Sequence, residues 1–210
     1  TGRQFRVPSS AQFNEHGLAW ISPDNIYAPN FSIKRSVLQE CGAFSEAFDY
    51  GFQDTDLGIR LDKANDIDFV FDKAARAYHD HPTTIEDYAS REFQMGKNLA
   101  TFRRFHPEKY SDEPIREREA SDLRDAPRFF PELPRYIFQA HEWENSLKSE
   151  PSYQGFRELF RFYDVILDLY RLAGVADNTE ELTEFYGFDS AEAALIRAAA
   201  HSIAPAQKQD

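Results

Sequence analysis

Cysteine is almost missing from this chain: Cys41 is the only one among 210 residues. That excludes an internal disulfide and gives no sign of an oxidising compartment. Long apolar runs are lacking too, with no stretch that approaches a membrane span and none that reads as a signal peptide. Positive charge is scarce, 24 Lys and Arg against 36 Asp and Glu, for a formal net charge of −12. Nucleic acid and anionic lipid both require clustered cations, so neither is an expected partner. Residues 1 to 27 contain no Gly-rich phosphate loop and no strand-helix repeat. What is plentiful is aromatic: 19 Phe and 10 Tyr, enough for one sizeable core or two small ones. The composition fits a folded cytoplasmic domain, with peripheral contact to the inner face of a membrane left open.

The most informative segment is GFQDTDLGIRL, Gly51 to Leu61. Leu57, Leu61 and Ala64 recur at helical spacing, Arg60 and Lys63 fall late, and Asn65 is a stop signal, so a helix is expected to open at Gln53 or Asp54. Asp54 and Asp56 then occupy its first turn. Unpaired backbone N–H groups and the positive end of the helix dipole favour an ionised, oriented carboxylate there. The same pattern also fits a plain N-cap at Asp54 and a solvated acid at Asp56.

Around it the chain reads as mixed strand and helix up to His106-Pro107. A short helix spans Ser36 to Cys41 with Gly42 as its cap, a strand runs from Ile67 to Phe71, and another extended piece covers Ala75 to His79. Thr83 and Glu86 form a capping box for a longer helix whose buried face carries Ile85, Tyr88, Ala89, Phe93, Gly96, Leu99 and Ala100, ending at His106. Residues 108–134 carry Pro114, Pro127, Pro131 and Pro134, a spacing that argues against long regular structure and for a loosely packed connection. Helices are expected over Arg135 to Leu147, Tyr153 to Leu172 with Gly174 as the end, Thr179 to Tyr186, and Ser190 to Ile203.

His79-Asp80-His81 invites a metal reading, because alternate residues of an extended strand point to one side. On the residues alone, surface or hydrogen-bonded histidines at a strand end are the commoner reading of that pattern. Asn30-Phe31-Ser32 matches a glycosylation sequon, read as chance without a secretory signal. Trp143, His141, Glu142 and Glu144 receive no chemistry.

Taken in order, Asn30-x-Ser32-x-x-Arg35, the helix ending in Gly42-Ala43-Phe44, the acidic helix start at Asp54 and Asp56, Arg60-Leu61, a strand and His79 resemble the second half of the catalytic domain of family 2 glycosyltransferases. Arg91, Gly96 and His106-Pro107 resemble the segment that follows. The resemblance covers about half the chain. It implies an α/β fold, the C-terminal, acceptor-side half of a GT-A-like (nucleotide-diphospho-sugar transferase) domain over residues 1–107, followed by the 108–134 connection and a mostly α-helical region over 135–210. It implies that Asp54 is the general base that activates an acceptor hydroxyl against a nucleotide-sugar, with inversion at the anomeric carbon. Gln53, Asp56, Asn30, Arg35 and Trp20 become candidate substrate contacts, and His79 and His81 candidate metal ligands. The implied cofactor is a divalent metal, Mg or Mn, held largely by a nucleotide-binding half; the implied partners are a nucleotide-sugar and a carbohydrate or other hydroxyl acceptor.

Two features depart from the family pattern. Position 53 holds Gln where the family pair is Glu-Asp, which keeps size and hydrogen bonding but removes a charge. No nucleotide-binding half with its D-x-D metal motif precedes Ala28, and the start at Thr1 rather than methionine suggests a fragment that alone does not turn over. Three readings follow: an inverting glycosyltransferase fragment, a non-catalytic interaction module derived from one, and, last, a histidine-carboxylate metal hydrolase built from Asp54, Asp56, His79 and His81.

Overall fold

The computed structural model describes residues 12–64, 67–78, 83–109 and 112–204. Contacts divide the chain into two units, Thr1–Pro82 and Thr83–Asp210. From sequence, the chain organisation is expected to change near Pro107, whereas the contacts divide it at Pro82, and the helix before Pro107 lies in the second unit, where its apolar face packs along a later helix.

In the first unit, β1 (Leu18–Trp20) pairs antiparallel with β2 (Val70–Asp72), Ala19 opposite Phe71 and Trp20 opposite Val70. Two 3-10 turns, Pro23–Asn25 and Ala28–Asn30, lead to α1 (Arg35–Glu40) and then α2 (Gln53–Ala64). Leu57 and Leu61, one turn apart on α2, bury against Ile26, with Phe31, Ile33, Val37, Leu38, Ile67 and Phe69 around them. The helix sits close on the first 3-10 turn, since a Cβ at Gly58 would stand 2.1 Å from the Pro23 carbonyl oxygen.

The α/β expectation is overturned: among the described residues the only sheet is this pair of three-residue strands, and the rest of the regular structure is helical. The run from Ile67 enters the ladder only at Val70, and Ala75 to Tyr78 form no strand and lie exposed. Apolar alternation marks residues able to pair, but a strand extends only where a neighbour supplies matching N–H and C=O groups.

The second unit is built from α3 (Ile85–Phe105), α4 (Glu113–Asp125), α5 (Leu133–Ser149), α6 (Tyr153–Ala176), a π-helical turn (Glu181–Phe185) and α7 (Ser190–His201). The capping box of α3 lies one residue beyond the expected Thr83–Glu86 frame. Thr84 Oγ1 accepts from the Asp87 N–H at 3.1 Å, and the Thr84 N–H donates to Asp87 Oδ2 at 3.2 Å. Glu86 is thereby free to meet His141 of α5, Nε2 to Oε1 at 2.8 Å. The proline-punctuated stretch is also corrected: it contains α4 and two 3-10 turns. Pro114, Pro127, Pro131 and Pro134 all sit in the opening positions of their elements, where a missing N–H costs nothing. Leu123, Ala126, Phe130 and Leu133 make it a buried layer rather than a loose connection.

Gly174 does not end α6 but lies inside it, because α3 crosses there at backbone distance. A Cβ at Gly174 would stand 2.0 Å from the Phe93 carbonyl oxygen, and one at Gly96 2.1 Å from that of Arg171. A second fastening is Arg103, fully inside the unit. It donates to Glu181 Oε1 at 2.5 Å, Tyr186 Oη at 2.7 Å and Glu119 Oε2 at 2.5 Å, joining α3, α4 and the π-helical turn. Burial pushes the Glu181 carboxyl above the usual range, and the Arg103 hydrogen bond opposes that rise. Among the described residues no helix is long and apolar enough to cross a membrane.

Candidate functional site

The start of α2 is set by a sharp backbone reversal. Gly51 and Phe52 both adopt positive φ, 77° and 63°, and the Phe52 carbonyl then accepts from the Asp56 N–H at 2.7 Å. Glycine takes that conformation freely; for Phe52 it carries strain on the order of 1–3 kcal/mol that the surrounding fold must hold. The reversal delivers Gln53 and Asp54 into the first helical turn.

Asp54 is half-buried, and its Oδ2 accepts from the Ala28 N–H at 3.0 Å. That amide is its one hydrogen-bond donor among the described residues, and no Lys, Arg or His lies within ion-pair distance of it there. The carboxylate is therefore pinned by one oxygen to the Ala28–Asn30 turn, while the other oxygen keeps no protein partner among those residues. First-turn placement puts it in the positive field of the α2 dipole.

Asp56 has a different environment. It is 1 % exposed and lies 2.8 Å from Arg60 Nη2, one turn on. Arg60 in turn donates to the carbonyls of Cys41 at 2.5 Å and Ala43 at 2.6 Å, at the end of α1. Grouped by sequence with the acceptor contacts, Asp56 is placed by the structure as an internal strut that ties α2 to α1.

The remaining candidates divide. Gln53 Nε2 donates to the Phe48 carbonyl at 3.2 Å, so the residue braces the loop before α2. Asn30, on the turn that holds Asp54, spends its side-chain amide on the Ala75 carbonyl at 3.0 Å. The turn thus links the start of α2 to the segment after β2. Arg35 is exposed as the first residue of α1, and no hydrogen bond or ion pair joins it to Asp54. Trp20 is 63 % exposed and stands across the β-ladder from Val70, itself 45 % exposed. His79 and His81 lie outside the described residues.

Comparisons with protein-family models, curated proteins and solved structures found no match to this chain. The site stands on its own geometry.

Among the described residues no three His, Cys, Asp or Glu side chains converge, and the Asp56 carboxylate is already committed to Arg60. The described residues therefore do not by themselves assemble a metal centre. Two parts of the site carried no signal as sequence motifs. The Ala28 donor is a backbone amide, and the Arg60 strut works through main-chain carbonyls 17 and 19 residues away.

Proposed function

We propose that the first unit supplies the acceptor side of an inverting glycosyl transfer, with Asp54 as general base. The observation that carries this reading is the state of that carboxylate: oriented by the Ala28 N–H, placed at a helix start, half-open, and with no cation in ion-pair contact among the described residues. An acceptor hydroxyl donates its hydrogen bond to the other carboxylate oxygen, Oδ1. As the hydroxyl oxygen forms its bond to the anomeric carbon of a nucleotide-sugar, its proton passes to Asp54. The bond from that carbon to the diphosphate breaks, and the diphosphate departs with the electron pair. A positioned base of this kind contributes on the order of 10²–10⁴-fold. The nucleotide, and any cation on the diphosphate, belong to a part of the site beyond the described residues. Trp20 offers an exposed ring on which a sugar face can stack.

Product stereochemistry tests the reading. The native full-length protein, incubated with a panel of nucleotide-sugars and saccharide acceptors, is expected to form a product whose anomeric coupling by proton NMR shows inversion. Retention contradicts direct displacement assisted by Asp54. Failure to transfer from any donor favours the second reading, a non-catalytic interaction module, which the uncharged Gln53 and its structural bond to Phe48 support.

A further inference from the structure

The second unit holds a polar depression of about 390 Å³ among Lys97 of α3, the turn Asp177–Glu180 after α6, and Arg197 of α7. Its charges are unevenly used. Lys97 Nζ lies 3.1 Å from Asp177 Oδ2 and His201 Nδ1 3.0 Å from Asp177 Oδ1, so that carboxylate is already compensated. Arg197 donates Nη1 to Thr179 Oγ1 at 3.1 Å, a neutral partner and its one hydrogen bond among the described residues. Glu180, exposed on the same rim, has no cation within ion-pair distance among those residues.

One guanidinium and one carboxylate therefore line the same small volume with no opposite charge in ion-pair contact among the described residues. A simple anion that approaches Arg197 meets the Glu180 charge, and a simple cation that approaches Glu180 meets Arg197. A molecule bearing both charges satisfies both groups. The Thr179 bond fixes the plane of the guanidinium, leaving its remaining N–H groups for a carboxylate, whose two oxygens match that fork. The volume falls at the small end of ligand sites, which run roughly 300–1,000 Å³, and the polar lining disfavours an apolar ligand.

We infer that this depression binds a small zwitterion of the amino-acid type, its carboxylate on Arg197 and its ammonium on Glu180. The proposal is independent of the chemistry at Asp54. The test is a ¹H–¹⁵N titration of the full chain with glycine and L-glutamine as zwitterions, acetate as anion and methylammonium as cation. The zwitterions are expected to give saturable shifts at the Asn178, Thr179 and Glu180 amides, with apparent affinity at least tenfold above that of either single-charge probe. Arg197→Ala and Glu180→Ala each reduce it at least tenfold, and Arg197→Lys retains part. Both positions are exposed, so melting temperature should hold; if a variant melts early, the wild-type panel alone decides. Absence of saturable shifts, an equal response to acetate, or an unchanged response in well-folded variants overturns the proposal.

Discussion

Asp56 and Arg60 close an ion pair at 2.8 Å along α2, and the same guanidinium clasps the main chain where α1 ends. Two acids two residues apart thus do different work: Asp56 holds the unit together from inside, while Asp54 keeps one oxygen without a hydrogen-bond partner among the described residues.

Asp56→Ala leaves Arg60 without its buried counter-charge, and loss of one member of such a pair costs about 3–5 kcal/mol. The partial exposure of Arg60 places the expected effect at the lower end. Asp54→Asn, at a half-open position, is expected to cost no more than ~1 kcal/mol. Amide hydrogen exchange across α2 checks the contrast: strong loss of protection in the first variant, little in the second.

Gly174→Ala places a methyl group inside the contact between α6 and the Phe93 carbonyl, so the helices must separate. Overpacking of this kind costs roughly 1–3 kcal/mol, and a backbone neighbour that cannot rotate away puts this case at the upper end. Trp143 stands 6.3 Å from the Phe162 ring in the same unit, and its fluorescence is expected to report a lowered melting temperature. Gly96→Ala is expected to behave alike.

The pair Glu86–His141 makes the second unit sensitive to acid. Partial burial, the largest single influence, raises the Glu86 carboxyl, but the hydrogen bonds from His141, the backbone and Thr84 together outweigh it, and the net direction is downward. A carboxyl depressed in the folded state stabilises above its ordinary range and loses that contribution as pH falls through its folded value. Both side chains are substantially exposed, so the effect is at most ~1 kcal/mol. His141→Ala is expected to shift the Glu86 carboxyl titration upward by ¹³C NMR and to flatten the acid-side loss of stability. An unmoved titration contradicts the pairing.

Local signals in the sequence located α2, α3, α5 and α7 but not α4. The start of α2 at Gln53 and the end of α3 before Pro107 follow from amphipathic spacing and from proline chemistry, both local. Features that depend on distant neighbours were not legible. Gly174 looks like a helix stop until α3 supplies the reason for a glycine inside a helix. The prolines of residues 108–134 resemble breakers, yet each opens an element. The sheet ends after three residues because pairing requires a partner that periodicity alone cannot reveal. At the candidate site, Asp54 was legible from its place in α2, whereas its donor is an amide 26 residues earlier. Asp56 and Asn30 are candidates through the family resemblance, but internal hydrogen bonds give them structural work.

The most direct measurement is transfer kinetics of Asp54→Asn in the native full-length protein, with donor affinity measured alongside. Asparagine keeps an oxygen to accept from Ala28 but cannot take the proton, so turnover is expected to fall at least about 100-fold with donor binding unchanged. Normal turnover in that variant would contradict the assignment of Asp54 as the base.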